Sequence, residues 1–251
     1  MSQRAAGTGE LEAGQVRAMF DRIAGIYDVL NGVMTAGLHH RWRARAADLA
    51  RVGPGSRVLD VATGTGDLAL ELARRVGPGG EVIGSDFSEA MLARARAKSA
   101  RTGEIGGSSL GAAVRFEWGD ALELPYADDS FDAVTCGFGV RNFSERSRGL
   151  QELARVVRPG GRVVILEFTT PTRAPLSLFY RVWFDRVVPL LGALGGDADA
   201  YTYLPSSVKR FPAPAALAAE LERVGLGELG YLLTAGGIVT IHAGTVPPDG
   251  A

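Results

Sequence analysis

One cysteine, Cys136, and three histidines, His39, His40 and His242, are all that this chain of 251 residues offers of the usual metal-binding and disulfide-forming side chains. The lone thiol excludes an internal disulfide framework and a multi-cysteine zinc site, and it favours a reducing compartment. Three scattered histidines do not make a metal cluster by spacing, so no metal ligand is assigned. Net charge is nearly absent as well: 27 Lys+Arg stand against 28 Asp+Glu, a balance of -1 that excludes a globally basic nucleic-acid binder. With 46% hydrophobic and 22% charged positions, a disordered tail or a collagen-like chain is excluded too. Long apolar runs are missing. The longest uncharged stretch, Leu229 to Pro248, holds four glycines, three threonines, a histidine and two prolines, so it does not read as a membrane span. Residues 1–14 are small and polar without an apolar core, which reads as a loose tail and not a secretory signal; 247–251 reads as a second tail. A cytoplasmic protein is the expectation.

What is present from Arg57 onward is alternation. RVLDVA, EVIGSD, VRFEW, FDAVTC and RVVILEF have strand length, and helical periods separate them, which argues for βαβ units and a mainly parallel sheet. Three stretches, VGPGSRV at Val52, VGPGGEV at Val76 and VRPGGRV at Val157, place Pro-Gly before a strand, the composition of a type II turn. A helix is expected from Asp67, whose carboxylate can cap it, to Gly77, with Leu68, Leu72 and Val76 on one face. Others are expected from Ser88 and over Glu145 to Val157, and Thr102 to Ala112 reads as a Gly/Ser loop. Gln15 to Ala50 reads as a helical N-terminal cap, and LGYLLT and GIVTIHA as a closing antiparallel hairpin around Ala235 to Gly237. No linker divides the chain, so 15–246 is taken as one domain.

The stretch LDVATGTGDLA, Leu59 to Ala69, carries the most chemistry, because it follows a buried strand and opens a helix. Gly64 and Gly66 allow a tight turn and close backbone approach to a ligand. With Ala69, and with Asp86 placed 20 residues beyond Gly66, they also satisfy the relaxed dinucleotide fingerprint. The loop alone leaves a dinucleotide and S-adenosylmethionine both open. The charges around it choose: Asp60, Asp86 and Asp120 each stand at or just beyond the end of one of the first three strands. Three carboxylates repel a pyrophosphate and attract a sulfonium and an ammonium. The expected assignment gives Asp60 and the Thr63–Gly66 loop the methionine end, Asp86 the ribose hydroxyls, and Asp120 with Ala121 the adenine.

At this point the residues resemble a known family, the ubiquinone/menaquinone biosynthesis C-methyltransferases. YDVLNGVMTAGLHHRW at Tyr27 to Trp42 and RVVRPGGRVVILEFT at Arg155 to Thr169 carry most of the likeness. FGVRN at Phe138, DADAYTYLPSS at Asp197 and LTAGGIVTIHAG near the end extend it over about Val16 to Gly244. The resemblance implies a class I, Rossmann-like methyltransferase fold: a mainly parallel seven-stranded sheet, a C-terminal antiparallel hairpin, a helical cap over 15–50 and an acceptor-side insertion over 170–210. It implies S-adenosylmethionine as cofactor, with contacts on Thr65, Asp86, Asp120 and Ala121. Gly137 departs from the pattern, since many relatives place a serine there, and only a backbone contact to the cofactor is then available.

The reaction so implied is methyl transfer to a ring carbon of a reduced, prenylated quinol. Proton removal from a ring hydroxyl makes the carbon nucleophilic, so the protein chiefly aligns the partners and assists proton transfer. Candidate catalytic residues are His39, which titrates near neutrality, Tyr27, which can hydrogen-bond a quinol hydroxyl, and Arg141 and Asn142, which follow the fourth strand and can stabilise a phenolate. Each competes with a packing or capping role. Cys136 reads as a small buried thiol; Glu167 reads equally as a pocket or a structural carboxylate; Tyr201 and Tyr203 look acceptor-side. Arg41 and Arg43 are expected to face the acceptor. Leu176 to Leu194, apolar but interrupted by Arg181, Asp185 and Arg186, reads either as a segment that lines the quinol site, guides the prenyl tail or lies peripherally on the cytoplasmic membrane, or equally as a core-covering helix pair. The menaquinone branch, demethylmenaquinol to menaquinol, is favoured over a benzoquinol acceptor. A cofactor-binding scaffold without chemistry and an NAD-dependent oxidoreductase are the competing readings.

Overall fold

The computed structural model describes residues 13–102, 112–172, 174, 177–178, 180 and 198–248. Most of the segment Leu176 to Leu194, residues 1–12 and 249–251 of the tails, and 103–111 of the Gly/Ser loop lie outside the described residues.

Seven strands form one sheet: β1 (Arg57–Val61), β2 (Glu81–Asp86), β3 (Ala113–Trp118), β4 (Phe131–Gly137), β5 (Val157–Phe168), β6 (Gly227–Thr234) and β7 (Val239–Thr245). Their order is β3-β2-β1-β4-β5-β7-β6. The first five pair in parallel, and β7 runs antiparallel to both β5 and β6. This is the expected class I methyltransferase sheet, with its hairpin turning at Ala235–Gly237. The chain reverses direction across the sheet between β1 and β4, and the carboxyl ends of strands at such a switch point are where open α/β sheets bind ligands.

Both faces of the central strands are buried, so their side chains alternate between two cores. Val58, Val82, Val164 and Leu166 point to one, together with Leu68, Leu72 and Leu92. Leu59, Ile83, Val163 and Ile165 point to the other, with Leu150, Leu153, Leu217 and Leu221. The helices supplying these residues are α4 (Asp67–Val76) and α5 (Glu89–Thr102) on the first face, and α6 (Arg146–Arg155) and α8 (Pro214–Arg223) on the second. Before β1 the cap is indeed helical: α1 (Ala13–Ile23), α2 (Tyr27–Thr35) and α3 (Leu38–Leu49). Val16, Met19 and Ile23 of α1 cluster with Met91 of α5 and with Tyr203 of α7 (Ala198–Arg210), which fastens the cap to the body.

Local details depart from expectation in three places. The first two Pro-Gly turns are type II, with Gly55 and Gly79 left-handed and Ser56 N–H and Gly80 N–H donating to the Gly53 and Gly77 carbonyls. The third lies inside β5 as a bulge, since Val157 already pairs with Phe131 before Arg162 pairs with Ala133; the Glu145 helix accordingly stops at Arg155. Asp67 does not cap α4. Gly66 holds the N-cap position at φ 84°, and the Asp67 carboxylate instead meets Arg43 at 3.0 Å and Lys98 at 2.5 Å.

Candidate functional site

At the carboxyl ends of β1, β2 and β4 the loop Ala62–Gly66 opens a cleft. Its walls include Gly64, Asp86, Phe87, Asp120, Ala121 and Gly137. Several glycines around it leave no room for a side chain, Gly66 and Gly139 among them. A Cβ on Gly66, itself at φ 84°, would stand 2.8 Å from the Phe116 ring, and one on Gly139 would stand 2.5 Å from Ala62 Cβ and 2.8 Å from Cys136 Sγ. The two loops therefore touch backbone to side chain, and Cys136 is a buried packing residue whose thiol burial pushes well above its ordinary pKa.

The three carboxylates occupy different depths. Asp86 is buried and accepts hydrogen bonds from Gly64 N–H at 2.8 Å and Ser88 N–H at 2.9 Å, so it both shapes the glycine loop and borders the cleft. Asp60 lies behind the loop beside a small side cavity shared with Thr63, Thr65, Arg43 and Tyr27, and accepts the Thr63 and Thr135 hydroxyls, each at 2.6 Å. Burial pushes both carboxyls up to about 6. Asp120 is exposed on the rim and accepts Leu122 N–H at 2.9 Å.

The two threonines of the loop are turned away from the cleft. Thr63 spends its hydroxyl on Asp60, and Thr65 donates to Asp28 of α2 at 2.6 Å while receiving Lys98 Nζ at 3.1 Å. Neither threonine lines the cleft itself; both border the small side cavity beside Asp60. The cap reaches the same region a second time, where Ser88 Oγ donates to Asp21 of α1 at 2.5 Å.

A second cavity lies under the cap. Met19, Met34, His39, Arg43, Arg141 and Tyr203 are on its walls. Phe20, Tyr27 and Phe138 border both this cavity and the cleft. Phe138 sits there because its backbone is left-handed at φ 60°, an unfavourable conformation for a phenylalanine, which turns the ring across the end of the sheet to stack on Phe168 at 4.5 Å. Nothing in the FGVRN spelling reveals this; the positive φ and the role of Phe138 as dividing wall emerge only from the fold.

The polar groups of the cavity are tied down. Arg141 and Glu167 form a buried pair at 2.7 Å, and Arg141 also donates to the Phe138 carbonyl. Burial opposes the guanidinium charge, but the Glu167 carboxylate overrides it and holds the Arg141 pKa above its ordinary value. Of the two readings of Glu167, pocket residue and structural carboxylate, the geometry supports the structural one. Asn142 borders the cleft and accepts the Tyr203 hydroxyl at 3.1 Å. His39, 4% exposed, is pushed down to about 4 by burial, then by Arg43 and His40, so it is neutral at physiological pH. Its Nδ1 stands 2.6 Å from Thr35 Oγ1. Of the two arginines expected to face the acceptor, Arg43 borders the cavity, whereas Arg41 is exposed and does not. The Tyr201 side chain lies outside the described residues.

A cationic nucleoside fits this cleft. Asp60 and Asp86 lack any hydrogen bond from a lysine or arginine among the described residues, and the cleft wall beside Gly64 is open, with no atom within 4 Å of where a Cβ would be. Ligand charge and ribose hydroxyls would relieve the burial that raises both carboxyls.

Comparison with known proteins agrees. The chain is 49% identical over 230 residues to the demethylmenaquinone methyltransferase of Thermus thermophilus, covering 91% of this chain and 100% of that one. It is 43% identical to the ubiquinone/menaquinone biosynthesis C-methyltransferase UbiE of Geobacter sulfurreducens, covering 92% and 88%. Among solved structures, an S-adenosylmethionine-dependent methyltransferase of Thermotoga maritima, a possible histamine N-methyltransferase, shares the fold at a TM-score of 0.62 with 19% identity, over 91% of this chain and 98% of that one. The model of the ubiE/COQ5 methyltransferase family matches residues 8–246. The chain belongs to that family, and it is an S-adenosylmethionine-dependent methyltransferase.

Proposed function

We propose that the chain methylates a ring carbon of demethylmenaquinol, giving menaquinol, with S-adenosylmethionine held in the cleft and the quinol ring in the cavity under the cap. The observation that carries this reading is the junction: Phe20, Tyr27 and Phe138 belong to both spaces, so a donor in one and an acceptor in the other meet across them. The Thermus relative, by its name, acts on demethylmenaquinone.

In this reading Asp86 receives the ribose hydroxyls, Asp120 and Ala121 face the adenine, and Asp60 balances the methionine end from behind the backbone of Thr63, Gly64, Thr65 and Gly66, with Gly137 offering only its backbone. The bound cofactor supplies an already activated methyl group. The protein's own task is then to desolvate the ring, align its carbon and move a proton. Met19, Met34 and Phe168 exclude water from the cavity; the buried Arg141 guanidinium and Asn142 favour phenolate character in the ring oxygen; Tyr27 and His39 are within the same walls as hydrogen-bonding partners. A prenylated acceptor implies peripheral contact with the cytoplasmic membrane, and the described residues hold no helix long and apolar enough to cross one.

The name of the Geobacter relative covers ubiquinone as well, which keeps a benzoquinol as the second reading. Purified protein given S-adenosylmethionine and either demethylated quinol under reducing conditions should form the methylated naphthoquinol faster, followed by product chromatography. Faster turnover of the benzoquinol would replace the first reading by the second, and transfer to neither would remove both.

A further inference from the structure

The sequence TAGLH, Thr35 to His39, crosses the break between α2 and α3, where Ala36 and Gly37 both take left-handed backbone, at φ 48° and φ 76°. That turn brings the His39 ring back onto the last residue of α2. Thr35 Oγ1 then has two close neighbours, each at 2.6 Å: the Asn31 carbonyl oxygen and His39 Nδ1.

A hydroxyl has one proton. A carbonyl oxygen has none to give, so the short contact to Asn31 requires Thr35 to be its donor. Were Thr35 to donate to His39 instead, two bare oxygens would face each other at 2.6 Å in a buried setting, which is repulsive. The Thr35 oxygen must therefore accept from His39, and Nδ1 carries the ring's proton. The ring is neutral at physiological pH, so its other nitrogen, Nε2, is left as a lone pair. Nε2 has no hydrogen-bond partner among the described residues, and the ring is part of the wall of the cavity under the cap.

We infer that His39 Nε2 is the proton acceptor for the ring hydroxyl of the quinol, and that Thr35 is a positioning residue that fixes the tautomer in which this nitrogen is free. The inference rests on the proposed acceptor site. In the step it describes, the O–H bond of the ring hydroxyl breaks, an Nε2–H bond forms, and the electron pair left on oxygen is delocalised onto the ring carbon, which bonds the methyl group as the S–CH3 bond breaks and its electron pair stays on the departing thioether. After transfer, the imidazolium returns that proton to the oxygen and the freed Nε2 takes the proton of the ring carbon, which restores aromaticity; that proton passes to solvent when the products leave, and the imidazole is neutral again. The proton Thr35 receives from Nδ1–H becomes more acidic when Nε2 is protonated, so the same hydrogen bond strengthens as the charge develops.

The test has two readouts. Nitrogen-15 NMR of histidine-labelled protein at neutral pH, with His40→Gln and His242→Gln to assign signals, should show His39 as the Nδ1–H tautomer; Thr35→Val should shift it toward Nε2–H, and Thr35→Ser should restore it. In turnover with demethylmenaquinol, His39→Gln should lower kcat by about 100-fold, the range of a general base. Thr35→Val should lower it about tenfold, the weight of one hydrogen bond, with cofactor affinity unchanged in both. Should His39→Gln lose cofactor binding and so its fold, Thr35→Val, of nearly the same shape as wild type, carries the test. An Nε2–H tautomer in the wild type, or a His39→Gln enzyme within about twofold of wild-type kcat, overturns the inference while leaving the proposed function standing. No transfer to any quinol by a wild type that binds cofactor overturns both.

Discussion

The cleft and the cavity beside it are built by different means. The floor of the cleft is laid by the sheet: the loop Ala62–Gly66 and the strand-end carboxylates Asp86 and Asp120 border it, Asp60 stands behind the loop, and the loop's threonine hydroxyls are spent on Asp60 and Asp28, while Phe20, Tyr27 and Phe138 close its far side. The cavity is a side-chain structure, assembled from α1, α2, α3, the turn after β4, the end of β5 and α7. In the proposed reading, a donor common to many enzymes is held by the part that the sheet itself fixes, and the acceptor is chosen by parts that can vary independently.

The substitution expected to separate the two regions most strongly is Glu167→Ala. It leaves the Arg141 charge buried without its partner, which should cost about 3 to 5 kcal/mol in urea unfolding, and turnover should fall while the folded fraction still binds cofactor. An equal loss of cofactor affinity per folded molecule would show that the regions are not separable. Asp86→Ala should do the reverse. Two hydrogen bonds from ribose hydroxyls to a buried carboxylate are together worth about 3 kcal/mol, so calorimetry should find cofactor binding weakened roughly 100-fold, with the cavity intact.

Acidity gives the next sharpest contrast. Asp86, at about 6 in the folded chain against an ordinary 3.8, holds its proton more tightly folded than unfolded. Its burden on stability is present above pH 6 and is relieved as pH falls from about 6 toward 4. Cofactor binding runs the other way, because donors prefer the ionised carboxylate: affinity should fall up to about tenfold per pH unit below 6, and binding at pH 6 should release about half a proton per molecule, detectable by calorimetry in two buffers. A flat affinity between pH 5 and 7 would contradict the assignment of Asp86. The smallest effect belongs to the latch between the regions. Asp28→Asn weakens a partly exposed pair with Lys98 and one hydrogen bond to Thr65, so thermal unfolding should register less than about 1 kcal/mol.

These differences also explain what could be read from the sequence. Gly64, Gly66 and Asp86 are legible because a local turn and a fixed strand-helix-strand spacing bring them together, and the alternation of apolar runs announces a mainly parallel sheet, though not its strand order. Asp67 was not legible as a partner of Arg43 and Lys98, because its position at a helix start looks the same whether it caps or pairs at long range. The directions of Thr63 and Thr65 are set by Asp60 and by Asp28, the second 37 residues earlier in the chain. Nor does composition disclose that Phe138 adopts a left-handed backbone, or that Glu167 meets Arg141 26 residues away. Where a site is one continuous segment the chain spells it; where it is a meeting of segments only the fold does.

Transfer of an isotopically labelled methyl group from S-adenosylmethionine to demethylmenaquinol, with the product examined by carbon NMR, tests the account most directly. The account predicts label on the naphthoquinol ring carbon, none on oxygen, and loss of transfer in Asp86→Ala at cofactor concentrations that saturate the wild type. Label on a ring oxygen, or transfer that survives Asp86→Ala unchanged, would contradict it.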